Sequence, residues 1–386
     1  LLADPLSGAR RGEAAVAHYD ALLRDRAFAA RAQPDVVIRI GALPTSKPLR
    51  QWLAGLRNVP QALLDPEGDW QDPEAVLACS LAVEPARALQ ELTDALAGAG
   101  RLGSDSGVGG LEADSHPEAG GLGLDSPSGA GGLESGTGRL GALALADTDW
   151  LEGWRSADER AAEAILGVLG ADGLSEPGVA AELGVLLPEQ ATLFVASSMP
   201  VRDIESFWPV RADPPRVLCN RGANGIDGTV SSAFGAAADG PGAGGGPVIL
   251  LIGDVALAHD IGGLLAARRL ELDLTIVLID NGGGGIFDFL PVARDPMART
   301  NAAGEDLYTR HIATPTGLDF ALAARLYGLE HEVVADVVSF RAALERAFTR
   351  RPRRSGIIEV RTDRAENLAL HRRAWEAVAG VLDGGA

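Results

Sequence analysis

Two polar residues, Asp254 and Asn281, directly follow two strongly apolar segments of the sequence, VILLIG and LTIVLID. The segment between these two runs has a helical pattern, so the runs are predicted to be neighbouring parallel strands joined by a right-handed crossover. Parallel strands end at the same edge of a sheet, and open α/β sheets bind ligands at that edge. We therefore expect the Asp254 carboxylate and the Asn281 amide to share one crevice, although they are 27 positions apart.

Four consecutive glycines, 282–285, follow Asn281. A glycine run loses much backbone entropy on folding, so its presence calls for a reason. A turn without side chains lets a main-chain carbonyl, here that of Gly283, reach a cation, and it lets N–H groups approach phosphate oxygens. The three predicted metal ligands Asp254, Asn281 and Gly283 form an incomplete shell of oxygens. Such a shell suits Mg²⁺ or Mn²⁺ whose coordination is completed by a bound diphosphate.

Two other interpretations of these residues stay open. Helix capping or turn formation alone would explain an Asp and an Asn at the ends of strands. A dinucleotide-binding loop of the pattern G-x-G-x-x-G is the other alternative. However, GDVALA lacks the later glycines, and Phe287 stands where the third glycine of GGGGIF would be needed.

The chain around this site alternates apolar strands with helices, which predicts an α/β fold of doubly wound parallel sheets covered on both faces. VVIRIG (36–41) reads as a buried strand, and two helices are expected over 14–25 and 49–56. In the C-terminal part, the apolar segments ATLFVA, RVLCN and GIIEV add strands to the two described above. Helices are predicted there over 156–170, 176–187, 229–238, 259–270, 318–328 and 365–380.

The glycine-rich segment 96–146 separates the two α/β regions 1–95 and 147–386. Roughly one residue in three of this segment is glycine, and aromatic and β-branched residues are few. Such a composition predicts a flexible linker or surface insertion.

Composition limits the possible partners and location. A net charge of −19 argues against binding to nucleic acid or to an anionic membrane. No apolar run is long enough to span a membrane and no leader is evident, so we expect a cytoplasmic protein. The chain begins without Met, as if within a domain, and we expect it to be a piece of a longer protein. The only two cysteines, Cys79 and Cys219, are expected to be small buried side chains in a reducing compartment.

Several of these segments resemble a known family. Gly253-Asp254 followed by Asp280-Asn281 is similar to the signature of thiamine-diphosphate-dependent enzymes, although Asp280 departs from the usual first Asn of the pair. Within that class, four segments together closely resemble the 2-succinyl-5-enolpyruvyl-6-hydroxy-3-cyclohexene-1-carboxylate synthases of menaquinone biosynthesis. These segments are TSK (45–47), SSMPVRDI (197–204), NRGANGIDG (220–228) and NGGGGIFDFLP (281–291).

The resemblance implies two Rossmann-like domains of the thiamine-diphosphate-binding fold. Residues 1–95 correspond to part of the middle domain, and residues 147–386 correspond to the diphosphate-binding domain. No counterpart of the pyrimidine-binding domain is present, so the glutamate that activates the cofactor is assigned to no residue here. The family's site lies between subunits, which implies a homo-oligomer, a dimer or tetramer.

The implied activity is a carboligase reaction that uses thiamine diphosphate with Mg²⁺ or Mn²⁺. The enzyme decarboxylates 2-oxoglutarate and adds the resulting carbanion to isochorismate, and this fragment is expected to be inactive by itself. Two alternatives stay open. One is another thiamine-diphosphate enzyme, of the acetolactate synthase or 2-keto-acid decarboxylase type. The other is a non-catalytic cofactor-binding module.

The resemblance also implies roles for particular residues. Arg202 and Arg221 match positions that bind substrate carboxylates, Lys47 matches a basic substrate-binding position, and Ser198 matches a polar contact to cofactor and substrate. A surface lysine, solvated arginines and a helix-capping serine are the alternatives. His259 is expected to open a helix in a structural role.

An apolar wall against cofactor and substrate is implied for Ile226, Ile286, Phe287 and Leu290, although ordinary core residues would look the same in the sequence. The full substrate-binding set implied is Lys47, Ser198, Arg202, Arg221, Ile286, Phe287 and Leu290. The cofactor-binding set implied is Ser198, Ile226, Gly253, Asp254, Val255, Asn281, Gly283, Ile286 and Phe287.

Overall fold

A computed structural model describes residues 1–102, 148–171, 173–221, 225–239, 245–301, 303–350 and 353–383. The chain forms two compact units. The larger unit contains Leu1–Pro34, Leu43–Arg57 and Glu152–Ala386, and the smaller contains Asp35–Ala42 and Asn58–Leu151. The range 1–95, predicted to be one partial domain, is thus divided between both units.

The elements alternate along the chain as an α/β fold requires. The strands are β1 (Val37–Ile40), β2 (Gln61–Leu64), β3 (Cys79–Leu81), β4 (Thr192–Val195), β5 (Arg216–Cys219), β6 (Val248–Gly253), β7 (Thr275–Asp280), β8 (Glu330–Val334) and β9 (Gly356–Arg361). The helices are α1 (Tyr19–Leu22), α2 (Arg26–Arg31), α3 (Lys47–Gly55), α4 (Pro85–Leu102), α5 (Thr148–Ala171), α6 (Glu176–Leu186), α7 (Met199–Phe207), α8 (Thr229–Ala238), α9 (Asp254–His259), α10 (Leu265–Arg269), α11 (Pro296–Arg299), α12 (Phe320–Tyr327), α13 (Val337–Thr349) and α14 (Arg364–Asp383). Among the residues described, no helix is both long and apolar enough to cross a membrane.

The smaller unit contains a three-stranded parallel sheet in the order β1-β2-β3. Burial alternates along β1, where Ile38 and Ile40 are exposed, so the prediction of a fully buried strand at 36–41 is wrong. Helix α4 extends to Leu102, over the first residues of the predicted linker. The remainder of that linker, 103–147, lies outside the described residues.

The larger unit is built on a six-stranded sheet in the order β5-β4-β6-β7-β9-β8, and every pair of neighbouring strands is parallel. β6 and β7 are buried along their whole length except for the last residue of each. A strand buried in this way must be covered on both faces, which explains why its sequence is continuously apolar rather than alternating. The predicted α/β fold with parallel sheets is confirmed.

One face of this sheet packs into a continuous core. Alternate residues of β6 and β7, such as Leu250 and Ile276, belong to one buried cluster with Phe234 of α8 and Phe320 of α12. The chain passes from β4 to β5 on one side and then returns to β6 on the other side. The direction of winding therefore reverses between β4 and β6, which is where open α/β sheets form ligand crevices.

The predicted helix over 259–270 is divided. α9 ends at His259, a 3-10 turn covers Ile261–Leu264, and α10 follows. A tertiary contact lies at the interruption, where the Asp260 carboxylate accepts hydrogen bonds from the Ser231 N–H and hydroxyl of α8, at 2.7 and 3.1 Å. His259 thus ends a helix and does not open one.

Three further expectations differ from the structure. Of the helix predicted over 14–25, only α1, four residues long, is formed. Cys79 is exposed and Cys219 is partly buried, so the expectation of two buried cysteines is wrong. Helices α7 and α13 and strand β8 were not predicted.

A buried arginine joins the N-terminal segment to the end of α7. The Arg10 guanidinium donates to the carbonyls of Ala3, Glu205 and Trp208 at 2.7, 3.0 and 3.1 Å. It also lies 3.5 Å from the Glu205 carboxylate, which accepts a hydrogen bond from the Tyr19 hydroxyl. Burial raises the pKa of Glu205 well above its ordinary value, an effect that the charge of Arg10 opposes. Arg10 therefore satisfies several buried acceptors at once.

Replacing Arg10 by alanine leaves these buried oxygens without donors and should destabilise the larger unit by about 3–5 kcal/mol. We expect a clear fall in the thermal midpoint, measured by circular dichroism. The adjacent Arg11→Ala is the matched control, because Arg11 is exposed and bonds only a local carbonyl at the surface. Equal midpoints for the two variants would contradict this account of Arg10.

Candidate active site at the carboxyl edge of the six-stranded sheet

Polar residues follow the carboxyl ends of five adjacent strands, and all of them except Thr362 were predicted to form a site. Arg221 follows β5, Ser198 follows β4, Asp254 follows β6, Asn281 follows β7, and Thr362 follows β9. These strands are all parallel, and each is hydrogen-bonded to the next in the spatial order β5-β4-β6-β7-β9. The five residues therefore lie along one edge of the sheet. The edge includes the reversal between β4 and β6.

Asp254 links the ends of β6 and β7. It is the first residue of α9 and is only 2% exposed. The backbone N–H groups of Val255 and Gly283 lower the pKa of its carboxyl, against the larger opposing effect of burial. Gly283 belongs to the glycine turn after β7, and the register Gly253–Ile279 places the ends of β6 and β7 side by side.

Two buried oxygens at this edge have no hydrogen-bond donor among the described residues. They are Oδ2 of Asp254 and Oδ1 of Asn281. A buried acceptor without a partner costs free energy, so native proteins provide a donor or a cation. Since both atoms are oxygens and one belongs to a carboxylate, this pair fits a hard divalent cation such as Mg²⁺.

The charges around these two oxygens also favour a bound cation. Burial, with a smaller contribution from the nearby carboxylate of Asp280, raises the pKa of Asp254 to about 6. Burial and the charge of Glu359 raise the pKa of Asp280, and burial together with Asp203 raises that of Glu176. This part of the larger unit thus carries an excess of negative charge that a bound cation would offset.

The donor set also explains what kind of metal site this could be. Within the described parts of the chain, no group of three or more His, Cys, Asp and Glu side chains is arranged to hold a metal ion. Asp254 supplies a single carboxylate, so any cation here would depend on the amide oxygen of Asn281, on a backbone carbonyl and on oxygens of a ligand. That is the typical coordination of a Mg²⁺ ion that accompanies a phosphate.

The glycine turn has two structural requirements of its own. Gly282 and Gly283 have φ angles of 72° and 137°, which side chains disfavour. A Cβ on Gly283 would lie 2.5 Å from the carbonyl oxygen of Ala313, and the N–H of Gly284 donates to that same oxygen at 2.6 Å. The turn is therefore bare partly because another loop packs directly against it.

Ser198 has a strained backbone conformation, and its side chain does not cap the helix that follows. Its φ of 77° is unusual for a residue with a Cβ. It precedes α7, but its hydroxyl makes no capping hydrogen bond, so the helix-cap alternative is wrong. Its carbonyl accepts a hydrogen bond from Nη1 of Arg202 at 2.5 Å, which fixes the arginine over the first turn of α7.

Three arginines of the larger unit lie close enough for their charges to interact. Partial burial of the guanidinium, followed by repulsion from Arg221 and Arg50, lowers the pKa of Arg202. Arg50 was not predicted, because a single arginine on a surface helix carries no signal in the sequence. It lies on α3 one turn after Lys47, whose side chain is exposed. The cluster is suited to an anion with more than one carboxylate.

The residues of the predicted apolar wall have different surroundings. Phe287 and Leu290 are 37% and 44% exposed, and Ile286 is partly buried, so this turn is not ordinary core. Ile226, by contrast, packs partly against the core cluster of the sheet.

Comparison with known proteins agrees with this geometry. Residues 201–360, which contain three of the five residues at the sheet edge (Arg221, Asp254 and Asn281), match the family described as thiamine pyrophosphate enzyme, C-terminal TPP binding domain. This part of the chain is therefore similar to the C-terminal domain of thiamine-diphosphate enzymes.

Among curated relatives, the chain is most clearly similar to synthases of one name. The chain is 37% identical over 99% of its length to the 2-succinyl-5-enolpyruvyl-6-hydroxy-3-cyclohexene-1-carboxylate synthase of Chloroflexus aurantiacus, and it covers 56% of that protein. It is 37% identical over 98% of its length to the synthase of the same name from Geobacillus thermodenitrificans, covering 55% of it. The chain is thus a homologue of these synthases and spans a little over half of their length.

Among solved structures, benzoylformate decarboxylase from Polynucleobacter necessarius is similar with a TM-score of 0.40 and 21% identity. The match covers 50% of this chain and 34% of that one. A likeness at this level adds nothing to the assignment.

The electrostatic account of Asp254 predicts a trade-off between stability and cation binding. Because its folded-state pKa is raised, the ionised form costs stability above pH 6, and this cost disappears as the pH falls and the group protonates. Asp254→Asn should therefore increase the free energy of unfolding of the metal-free protein at pH 7.5 by about 1–3 kcal/mol, which is seen as a higher thermal midpoint. The gain should shrink towards pH 5.

The measurement is thermal denaturation in EDTA at both pH values, with Asp213→Asn as control because Asp213 is exposed. A destabilised Asn variant at pH 7.5, or a gain that does not depend on pH, would contradict the electrostatic account.

Proposed function

We propose that the protein to which this chain belongs is a thiamine-diphosphate- and Mg²⁺-dependent carboligase of menaquinone biosynthesis. It decarboxylates 2-oxoglutarate and joins the remaining four-carbon unit to isochorismate, giving 2-succinyl-5-enolpyruvyl-6-hydroxy-3-cyclohexene-1-carboxylate. The observation that supports this most directly is the pair of buried, unpartnered oxygens of Asp254 and Asn281. They lie at the carboxyl edge of the sheet, the edge at which Arg221 of the arginine cluster also lies, in a chain homologous to synthases of that name.

The metal and diphosphate would be held by the ends of β6 and β7. Asp254 Oδ2, Asn281 Oδ1 and the Gly283 carbonyl are the proposed ligands of Mg²⁺, or of Mn²⁺ in its place. Gly253 and Val255 flank the carboxylate, and Ser198 lies across the reversal of the sheet. When bound, thiamine diphosphate supplies a thiazolium ring that stabilises negative charge on the carbon from which CO₂ departs.

The arginines would hold the substrates. Both proposed substrates are dicarboxylates. An acidic protein can bind them only where several positively charged side chains lie close together. Arg202 and Arg221 already repel one another, together with Arg50, so a bound dicarboxylate would relieve that repulsion. Lys47, one turn before Arg50, is proposed to contact the same anions.

The exposed apolar turn would keep the reacting carbons dry. Phe287 and Leu290 present apolar surface beside the glycine turn, and Ile286 is partly buried behind them. Apolar contact with the cofactor ring and substrate would exclude water, which favours a charge-dispersed species over one that needs hydration. Ile226 is proposed to contribute from the loop after β5.

The proposal includes a second subunit. No glutamate of this chain is assigned to activation of the cofactor, and the relatives are longer than this chain. We therefore propose that the chain alone does not turn over substrate, and that the complete protein works in the cytoplasm as a homo-oligomer.

Calorimetry tests the cofactor assignment. Thiamine diphosphate should bind the full-length protein in the presence of Mg²⁺ and not in EDTA. Asp254→Ala should weaken that binding by about 100-fold or more, because it removes the only carboxylate from the proposed metal shell. Asp213→Ala, at an exposed position, should bind as the unmodified protein does. Binding that needs no metal, or that survives Asp254→Ala, would overturn the assignment.

Steady-state kinetics tests the arginines. Arg202→Met and Arg221→Met should each raise the KM for 2-oxoglutarate or isochorismate by about 10- to 100-fold, as expected for loss of a charged hydrogen bond. Arg216→Met is the matched control, because Arg216 is exposed and begins β5 at the opposite edge of the sheet. Unchanged KM values for both substrates in both variants would contradict the proposed role.

A further inference from the structure

Glu176 is a buried carboxylate that the proposed reaction does not use. It is the first residue of α6, follows the capping residue Ser175, and is 3% exposed. Acids are common in the first turn of a helix, where they usually remain in contact with water. Glu176 instead points into the larger unit, towards the carboxyl ends of β7 and β9.

One oxygen of Glu176 holds two side chains from those strand ends. Oε1 accepts a hydrogen bond from Nδ2 of Asn281 at 2.9 Å and another from the Thr362 hydroxyl at 3.0 Å. The three residues come from α6, from the turn after β7 and from the turn after β9. Glu176 therefore fixes Asn281 relative to two other elements.

This contact decides which way the Asn281 amide faces. An amide has a donor end and an acceptor end, and Glu176 Oε1, which already accepts from Thr362, can pair only with the donor end. Rotation of the amide by half a turn would set oxygen against oxygen. The contact thus keeps Oδ1 on the far side of the amide, where it is buried and has no partner among the described residues.

The space around the amide is shaped to match. A Cβ on Gly285 would lie 3.0 Å from Nδ2 of Asn281, so the absence of a side chain there leaves room for the amide to reach Glu176. The position is also electrostatically unfavourable for an acid, since burial and the nearby Asp203 and Asp254 all oppose its ionised form. A buried acid in such surroundings is not expected to stabilise the fold, so its presence calls for another explanation.

We infer that Glu176 is a positioning residue for the proposed cation site, and that it acts by holding the Asn281 amide so that Oδ1 faces the metal. This inference rests on the proposed function, because it assigns Asn281 as a metal ligand. It requires a hydrogen-bond acceptor at position 176 and does not require the charge of the carboxylate.

Direct binding of Mn²⁺ is the appropriate test, since it needs no turnover. Free Mn²⁺ is measured by electron paramagnetic resonance in the full-length protein with saturating thiamine diphosphate. Glu176→Ala should weaken Mn²⁺ binding by about 10- to 100-fold, the usual effect of losing a residue that orients a metal ligand. Glu176→Gln keeps an acceptor oxygen and should bind within about threefold of the unmodified protein.

Glu182→Ala is the matched control. Glu182 lies on the same helix, but its carboxylate pairs with the exposed Arg341 at 2.6 Å and not with the site. It should leave Mn²⁺ binding unchanged. Thermal midpoints recorded without metal separate folding from binding, because a residue with only a structural role would lower the midpoint and leave the Mn²⁺ affinity of the folded protein unaltered.

The possible results are distinguishable. If the unmodified protein binds no Mn²⁺ with thiamine diphosphate, the proposed function fails, and this inference fails with it. If it binds and depends on Asp254, but Glu176→Ala binds equally well, only the inference fails. A tenfold loss in Glu176→Gln would also overturn it, since charge would then matter. If the alanine variant does not fold, the glutamine variant still tests the inference. Mn²⁺ binding within threefold of the unmodified protein supports it, and a tenfold loss overturns it.

Discussion

Two buried oxygens without donors set the main constraint on this site. Oδ2 of Asp254 and Oδ1 of Asn281 belong to neighbouring strand ends, and no donor in the described part of the chain satisfies either one. Leaving two such acceptors buried is unfavourable, and the surrounding acids make it more so. A divalent cation resolves both problems at once, which is why the cofactor assignment rests on this pair more than on any other feature.

The fold supplies what the pair needs. The parallel register of β6 and β7 sets their ends side by side, and the Gly283 N–H in the turn after β7 is close enough to lower the pKa of Asp254 after β6. Glu176 then fixes the remaining freedom, the rotation of the Asn281 amide. Along the same edge, the winding reverses between β4 and β6, the kind of place where open α/β sheets form ligand crevices, and Ser198 follows β4 there. Position, orientation and access thus come from three different parts of the structure.

Much of this architecture could be predicted because its signals are local. Continuous apolar strands such as VILLIG predict a covered parallel sheet, and a polar residue at the end of each predicts a shared edge. What could not be predicted depends on contacts between distant segments. Glu176 looks like an ordinary acid at the start of a helix until its partners, 105 and 186 positions away, are known. Arg50 is a similar case, since only the folded chain brings it near Arg202.

The errors have the same origin. The strand at 36–41 was expected to be buried from its apolar composition, but Ile38 and Ile40 lie on an exposed face of the smaller unit. The helix over 259–270 was expected from its period, but Asp260 bonds Ser231 of another helix, and the helix is interrupted there. The glycine turn was attributed to a ligand alone, whereas the close approach of the Ala313 carbonyl requires glycine as well. In the last two cases a tertiary contact imposes a constraint that the local sequence does not show.

The most direct test of the central claim is an anomalous-scattering crystal structure of the full-length protein with Mn²⁺ and thiamine diphosphate. The account predicts one anomalous peak within coordination distance, about 2.0–2.3 Å, of both Asp254 Oδ2 and Asn281 Oδ1. A peak bound elsewhere, or one that contacts only one of these two oxygens, would contradict it.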